Sequence, residues 1–171
     1  MMKVLRGLGK AIDWLNEQIG NVFGAIVILL VLLTVMEVIL RKFFNSPTIW
    51  SFEVLKQLFA LYFMITAAYG LKKGSHVSVD IFTRLLPEKW KAIVSIITYL
   101  IFYFPFCIVG AWFGYKYAAR SWEMHEHSWS VFAPPLYPIK TVITITFVLL
   151  ILQGIAEVIK NTLIIKGVKY D

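Results

Sequence analysis

One cysteine, three histidines and a charged fraction of only 16% are all that this 171-residue chain offers to chemistry. Each scarcity closes off a class of function. A lone Cys107 forms no intrachain disulfide, which excludes redox work by a cysteine pair. His76, His125 and His127 all fall outside the long apolar runs, which excludes haem ligation between membrane helices. Soluble domains carry about 25% charged and 45–50% apolar residues, whereas 59% of this chain is hydrophobic. That balance points to a membrane protein before any motif is read. The net charge of +7 does not imply nucleic acid, because the basic residues flank apolar segments instead of forming one patch.

Four stretches meet the requirement of about 20 largely apolar residues for a membrane-crossing helix. They lie at about 19–40, 51–71, 92–115 and 136–159. The first, "QIGNVFGAIVILLVLLTVMEVIL", has no charge from Gln18 to Met36. The second starts with Glu53 and Lys56 at or inside its end, and the third is uncharged from Ala92 to Tyr115. Open strands would leave backbone groups unpaired in lipid, so the expected class is an all-α integral membrane protein of four transmembrane helices. The N-terminus has no signal-peptide pattern, and the first run is expected to stay in the mature protein.

Lys and Arg set the expected orientation. The N-terminal segment, the central connector and the C-terminal tail hold eleven of them, and the opposite side holds six: Arg41, Lys42, Lys56, Lys116, Arg120 and Lys140. The richer side is expected to be cytoplasmic, with both termini inside. Before the first span, residues 1–18 place Val4, Leu5, Leu8, Ile12 and Leu15 at helical spacing, with Lys3, Arg6, Lys10 and Asp13 mostly elsewhere. This predicts an amphipathic helix lying in the interface. A ragged extension of the first span is the alternative.

The polar residues each have two readings. Glu37 and Arg41 stand four apart and Glu53 and Lys56 three apart, spacings that allow pairing on a helix. They are either interfacial residues that snorkel or pair locally, or contacts to another helix or subunit. "WEMHEHSW", residues 122–129, concentrates Glu123, His125, Glu126 and His127 but has neither HExxH spacing nor a second ligand cluster, so it reads as a polar connector on the outer face with its tryptophans at the headgroup level. Pro105 is expected to kink the third helix, and Gly110 and Gly114, extended by Ala118, give small-residue spacing for close helix packing. In "LKKGSHVSVDIFTRLLPEKWK", residues 71–91, a His76/Asp80 catalytic pair would lack any plausible partner. Gly74 as a helix stop, Pro87 as a helix start and Asp80 capping a turn with Ile81, Leu85 and Leu86 make it a connector. No catalytic, cofactor-binding or metal-ligating residue is assigned.

In order along the chain, Arg41 closing the first span, "NSPTIWSFE" with Trp50 and Glu53, "GSHVSVD" with His76, Val77 and Asp80, and then "LLP" carry a family likeness. The chain resembles the small membrane subunit, DctQ-like, of tripartite ATP-independent periplasmic (TRAP) transporters, over 1–171 as one domain. "EHSWSVFAPPLYPIK" and "LLILQGIAEVIK", through Glu126, Ser128, Tyr137, Pro138, Lys140, Gln153 and Gly154, are similar to the mannitol/chloroaromatic-type branch. The resemblance implies a small permease subunit in the bacterial or archaeal inner membrane, not an enzyme. It implies sodium-coupled, binding-protein-dependent uptake of an organic acid, with substrate and sodium bound in a separate large DctM-like membrane subunit. The partners so implied are that subunit, a periplasmic substrate-binding protein and membrane lipid. Glu37, Arg41, Trp50, Glu53, Lys56, Gly110 and Gly114 become candidates for the seam with the large subunit, and Glu123 and Glu126 for contact with the binding protein. The competing reading is a stand-alone small transporter or channel acting as a homo-oligomer. It needs polar residues along a path, and the middle of the spans has almost none.

Overall fold

The computed structural model describes residues 2–73 and 87–168. Gly74, His76, Val77, Asp80, Ile81, Leu85 and Leu86, on which the connector reading rests, lie outside the described residues. Helices α1 (Met2–Gly24) and α2 (Ile26–Phe43) follow one another with a break only at Ala25. Helices α3 (Ser51–Ile65) and α4 (Ala67–Lys72) are separated by Thr66. A π-helical turn, Tyr99–Tyr103, joins α5 (Glu88–Thr98) to α6 (Phe104–Glu123), and α7 (Tyr137–Ile165) completes the set. Four of the resulting runs are long and apolar enough to cross a membrane: Val4–Phe43, Ser51–Lys72, Glu88–Glu123 and Tyr137–Ile165. The protein is all-α with four candidate spans, as the composition predicted.

Local chemistry explains where the helices stop. Arg41 and Lys42 occupy the last turn of α2, where cations complement the helix dipole. Asn45, at φ +48°, then turns the chain, a conformation Asn tolerates better than most residues. At the far end of α7, Gly167 takes φ +69°. The Val168 N–H donates to the Leu163 carbonyl and the Gly167 N–H to that of Ile164, which satisfies two orphan carbonyls. Pro87 opens α5, as read from the sequence, and stands at its N-cap with Glu88 in the first turn.

Pro105 acts through the turn before it. It has no N–H to donate, and in a regular helix its ring would strike the carbonyl four residues back. The chain answers with the wide turn at Tyr99–Tyr103, in which the Phe104 N–H reaches back to the Tyr99 carbonyl.

Helix α7 is the hub and touches α1, α3, α4, α5 and α6. Val142, Thr146, Leu149, Gln153, Ala156 and Leu163 are its buried stripe, at the alternating four-and-three spacing of a helix seam. Against it lies α6, whose Cys107, Gly114, Ala118 and Ser121 are buried. Gly110 and Gly114 were candidates for contact with another subunit, and here they face α7 of their own chain. A Cβ on Gly110 would stand 2.4 Å from the Phe147 ring, and one on Gly114 3.1 Å from Ile143. Small residues let the two backbones approach closely, so this face is used inside the bundle.

The N-terminal helix is amphipathic, as its spacing predicted. Its polar stripe is the buried one: Asp13 and Asn16 are buried with Gly9, Ile12 and Gly20. Val4, Leu8, Trp14 and Leu15 are exposed. A soluble amphipathic helix buries its apolar side, whereas one bordered by lipid turns that side outward and seeks partners for its polar groups within the protein.

Candidate functional site

Two connectors, 44–50 and 124–136, lie at one end of the bundle, here the connector end. The N-terminal segment and the end of α7 lie at the other, the terminal end. At the connector end Glu37 is buried. The Arg41 guanidinium donates to its Oε1 at 3.1 Å, and the Thr48 hydroxyl donates to its Oε2 at 2.6 Å. This ties the last turn of α2 to the chain leading into α3. Glu53 is also buried and meets Lys56 at 3.7 Å. Both expected pairs therefore exist, with the carboxylates turned inward and the cations outward: the Arg41 and Lys56 side chains are 67% and 63% exposed. Phe52, Lys56, Phe59 and Phe63 form one exposed stripe of α3. Lys56 sits over the Phe52 ring at 5.6 Å, and Phe59 stacks on Phe63. Beside the stripe, Leu30, Thr34 and Val35 of α2 wall an open apolar groove. Trp50 borders the same end and is partly exposed.

The 124–136 connector folds back onto the helices. Glu126 accepts from the Ser121 hydroxyl at 2.8 Å and pairs with the buried Lys140, whose ammonium lies 4.0 Å from the Tyr117 ring centre. The Lys140 and Ser121 hydrogen bonds hold the Glu126 carboxyl below its ordinary pKa of 4.5. The Trp122 indole N–H donates to the Thr141 hydroxyl, and the Trp122 ring packs on Tyr137. Of the two residues considered for contact with a binding protein, Glu123 is exposed, while Glu126 is engaged by its own chain. His125 and His127 stand edge-on to Tyr137. Among the described residues no three His, Cys, Asp or Glu side chains gather as metal ligands.

A second polar cluster, at the terminal end, was not anticipated. Gln153 of α7 is fully buried; it accepts from the Asn16 amide at 2.7 Å and donates to Asp13 at 2.9 Å. Lys160 bridges Asp13 at 3.1 Å and Glu157 at 2.6 Å. Lys72 of α4 donates to the Asp13 carbonyl and to Glu17, at 3.0 and 2.7 Å. Three helices are thus clasped through side chains that an isolated span in lipid would leave unpaired. The sequence singled out Gln153 and Gly154 only through the family likeness. The missed signal was spacing: Asp13, Asn16 and Glu17 share one face of α1, and Gln153, Glu157 and Lys160 share one face of α7. Gly154 lies next to the clasp, where a Cβ would stand 2.6 Å from the Tyr103 ring.

The family model of the DctQ component of tripartite ATP-independent periplasmic transporters matches residues 30–163, more than three quarters of the chain. The chain belongs to the DctQ family. This is a family of transport proteins, not enzymes, and the four apolar helices make the chain a multi-pass membrane protein. Relatives agree. The sialic acid TRAP transporter permease protein SiaT of Haemophilus influenzae is 35% identical over 80 residues, 47% of this chain and 12% of that protein. The C4-dicarboxylate TRAP transporter small permease protein DctQ of Vibrio cholerae is 30% identical over 84 residues, 47% of this chain and 36% of the relative. The sialic acid TRAP transporter small permease protein SiaQ of Vibrio cholerae is 37% identical over 49 residues, 29% of this chain and 28% of the relative. The matches thus span well under half the length of these curated relatives.

Proposed function

We propose that this DctQ-family chain is the stationary small permease subunit of a sodium-coupled TRAP transporter in the inner membrane, with both termini cytoplasmic. Its work is mechanical. A transport domain that moves across the bilayer needs a neighbour that resists tilt and vertical shift, and helices anchored by interfacial Trp, Lys and Arg supply that resistance. The observation that carries the reading is the α2–α3 face. It combines the exposed Phe52–Lys56–Phe59–Phe63 stripe with the outward cations Arg41 and Lys56 at the connector end. The phenylalanines would sit equally well in lipid tails; it is Lys56, uncovered on the least hydropathic of the four spans, that favours a protein neighbour.

The seam with the large subunit then consists of Arg41, Trp50, Lys56 and the phenylalanine stripe. Glu37 and Glu53 hold those cations in place from within. The large subunit carries the substrate and sodium sites, and a periplasmic binding protein delivers the cargo. Both substrates in the relatives' names are acids, which supports an organic acid as the transported class. Assignment to the mannitol/chloroaromatic branch belongs to the same proposal. Co-purification in mild detergent tests the seam. Lys56→Glu and Phe59→Ala should each lower recovery of the large subunit at least threefold while the small subunit keeps its Tm. Full recovery with both variants would refute this face as the seam.

A further inference from the structure

The connector between α6 and α7 ends in a tip that the permease reading does not use. His127 and Pro135 pair as an isolated β-bridge, the Ser128 N–H donates to the Pro134 carbonyl, and the Ala133 N–H donates to the Ser130 carbonyl. This short hairpin holds Trp129 entirely in the open and Val131 91% exposed, with Phe132 partly uncovered beside them. Residues 128–136, "SWSVFAPPL", carry no charge. The Ser130 hydroxyl also lies in reach of the Ala133 N–H, at 3.3 Å. Of the two nearby carboxylates, Glu126 is turned inward onto Lys140, and the exposed Glu123 belongs to the last turn of α6, outside the tip.

The position of the hairpin selects its environment. The Gln57 side chain donates to the Pro135 carbonyl at 3.2 Å. Gln57 lies six residues into α3, roughly 9 Å from the start of that helix at the α-helical rise. The base of the hairpin therefore lies alongside the helix ends, not beyond them. Exposed aromatic rings already mark this level, with Trp122 on Tyr137, and Tyr117 within two turns of the end of α6. Indole and phenol rings favour the headgroup layer, where one side is apolar and the other wet.

We propose that the 128–133 tip is a lipid anchor: Trp129 and Val131 insert into the headgroup layer of the leaflet at the connector end, with glycerophospholipid as the occupant. The inference requires only that the four helices span a bilayer, and it stands apart from the subunit seam. Because the anchor lies across the bundle from the terminal clasp, it would fix the height of α6 and α7 at the connector end.

The single native thiol makes the test direct, since Cys107 is fully buried and a maleimide fluorophore will label an introduced surface cysteine. The full chain carrying Trp129→Cys, and separately Val131→Cys, is labelled with an environment-sensitive dye. It is then placed in nanodiscs of phosphatidylethanolamine and phosphatidylglycerol. Quenching at least threefold stronger by headgroup-proximal nitroxide lipid than by nitroxide deep in the chains, with iodide quenching reduced at least threefold relative to free dye, is expected at both positions. Iodide quenching as strong as for the free dye at both positions would overturn the anchor. So would shielding that appears only after the large subunit or the binding protein is added, because the tip would then be a protein contact.

Discussion

Gln153→Met tests whether polar bonds hold the N-terminal helix. The substitution keeps the length and flexibility of the side chain and removes both ends of its amide. Asp13 and Glu157 keep Lys160 as a partner, so the loss falls chiefly on Asn16. That side chain is 1% exposed, its amide nitrogen donates to Gln153, and its Oδ1 has no partner among the described residues. Stranding a buried amide donor costs about 1–3 kcal/mol, while hydrogen bonds between helices in membranes average about 0.6 and reach about 1.7 kcal/mol. Full burial excludes replacement by water and places the expected loss near the upper membrane value, about 2 kcal/mol. For a domain of this size that corresponds to a fall in Tm of about 4–8 °C. Asn16→Leu should cost a similar amount by stranding the Gln153 carbonyl.

The double variant decides the cause. With both partners apolar no buried group is stranded, so its loss should be smaller than the sum of the singles by about 1 kcal/mol or more. The assay uses the chain's own reporter: Cys107 is fully buried, and a thiol-reactive dye brightens as heating exposes it. Strict additivity, or single variants as stable as the parent, would refute the claim that this pair secures α1 to α7. The Asp13–Lys160 and Glu17–Lys72 ion pairs, with the packing of Gly20 against Tyr69, would then suffice to hold the helix.

The other predictions concern packing and titration. Gly110→Leu should lower the Tm by several degrees, because even its Cβ would stand 2.4 Å from the Phe147 ring. Adding Phe147→Ala should restore part of the loss; no effect of Gly110→Leu would disprove the close approach of α6 and α7. The Glu126 carboxyl is held below its ordinary 4.5 by Lys140 and Ser121, so the stabilisation it gives the connector is complete above that value and disappears as pH falls through its lower folded value. Trp emission from the connector should therefore stay native at pH 5 and change in stronger acid, and Glu126→Gln should abolish that transition. A parent transition centred above 4.5 would contradict the sign.

The two ends of the chain show how far single-sequence reasoning reaches in a membrane protein. Glu37–Arg41 and Glu53–Lys56 were legible because both members lie on one helix, where spacing alone sets the distance. Glu126 was a candidate for contact with the binding protein, and the fold pairs it with Lys140, fourteen residues away across the connector. The small-residue spacing at Gly110 and Gly114 announced a close contact without saying with what, and the helix that fills it belongs to the same chain. Pro105 announced a distortion, and the structure places it in the preceding turn.

By itself, the sequence determined the four spans, their helical form and the edge charges, because crossing lipid demands length, low polarity and internal backbone pairing from each segment separately. It also carried the family likeness that the match over residues 30–163 establishes. Only the tertiary structure decided which side of each helix meets protein. In lipid the apolar side gains nothing special from burial, so the burden passes to a few polar and small residues. Their partners, such as Gln153 for Asn16 at a separation of 137 residues, become neighbours only once the helices have packed.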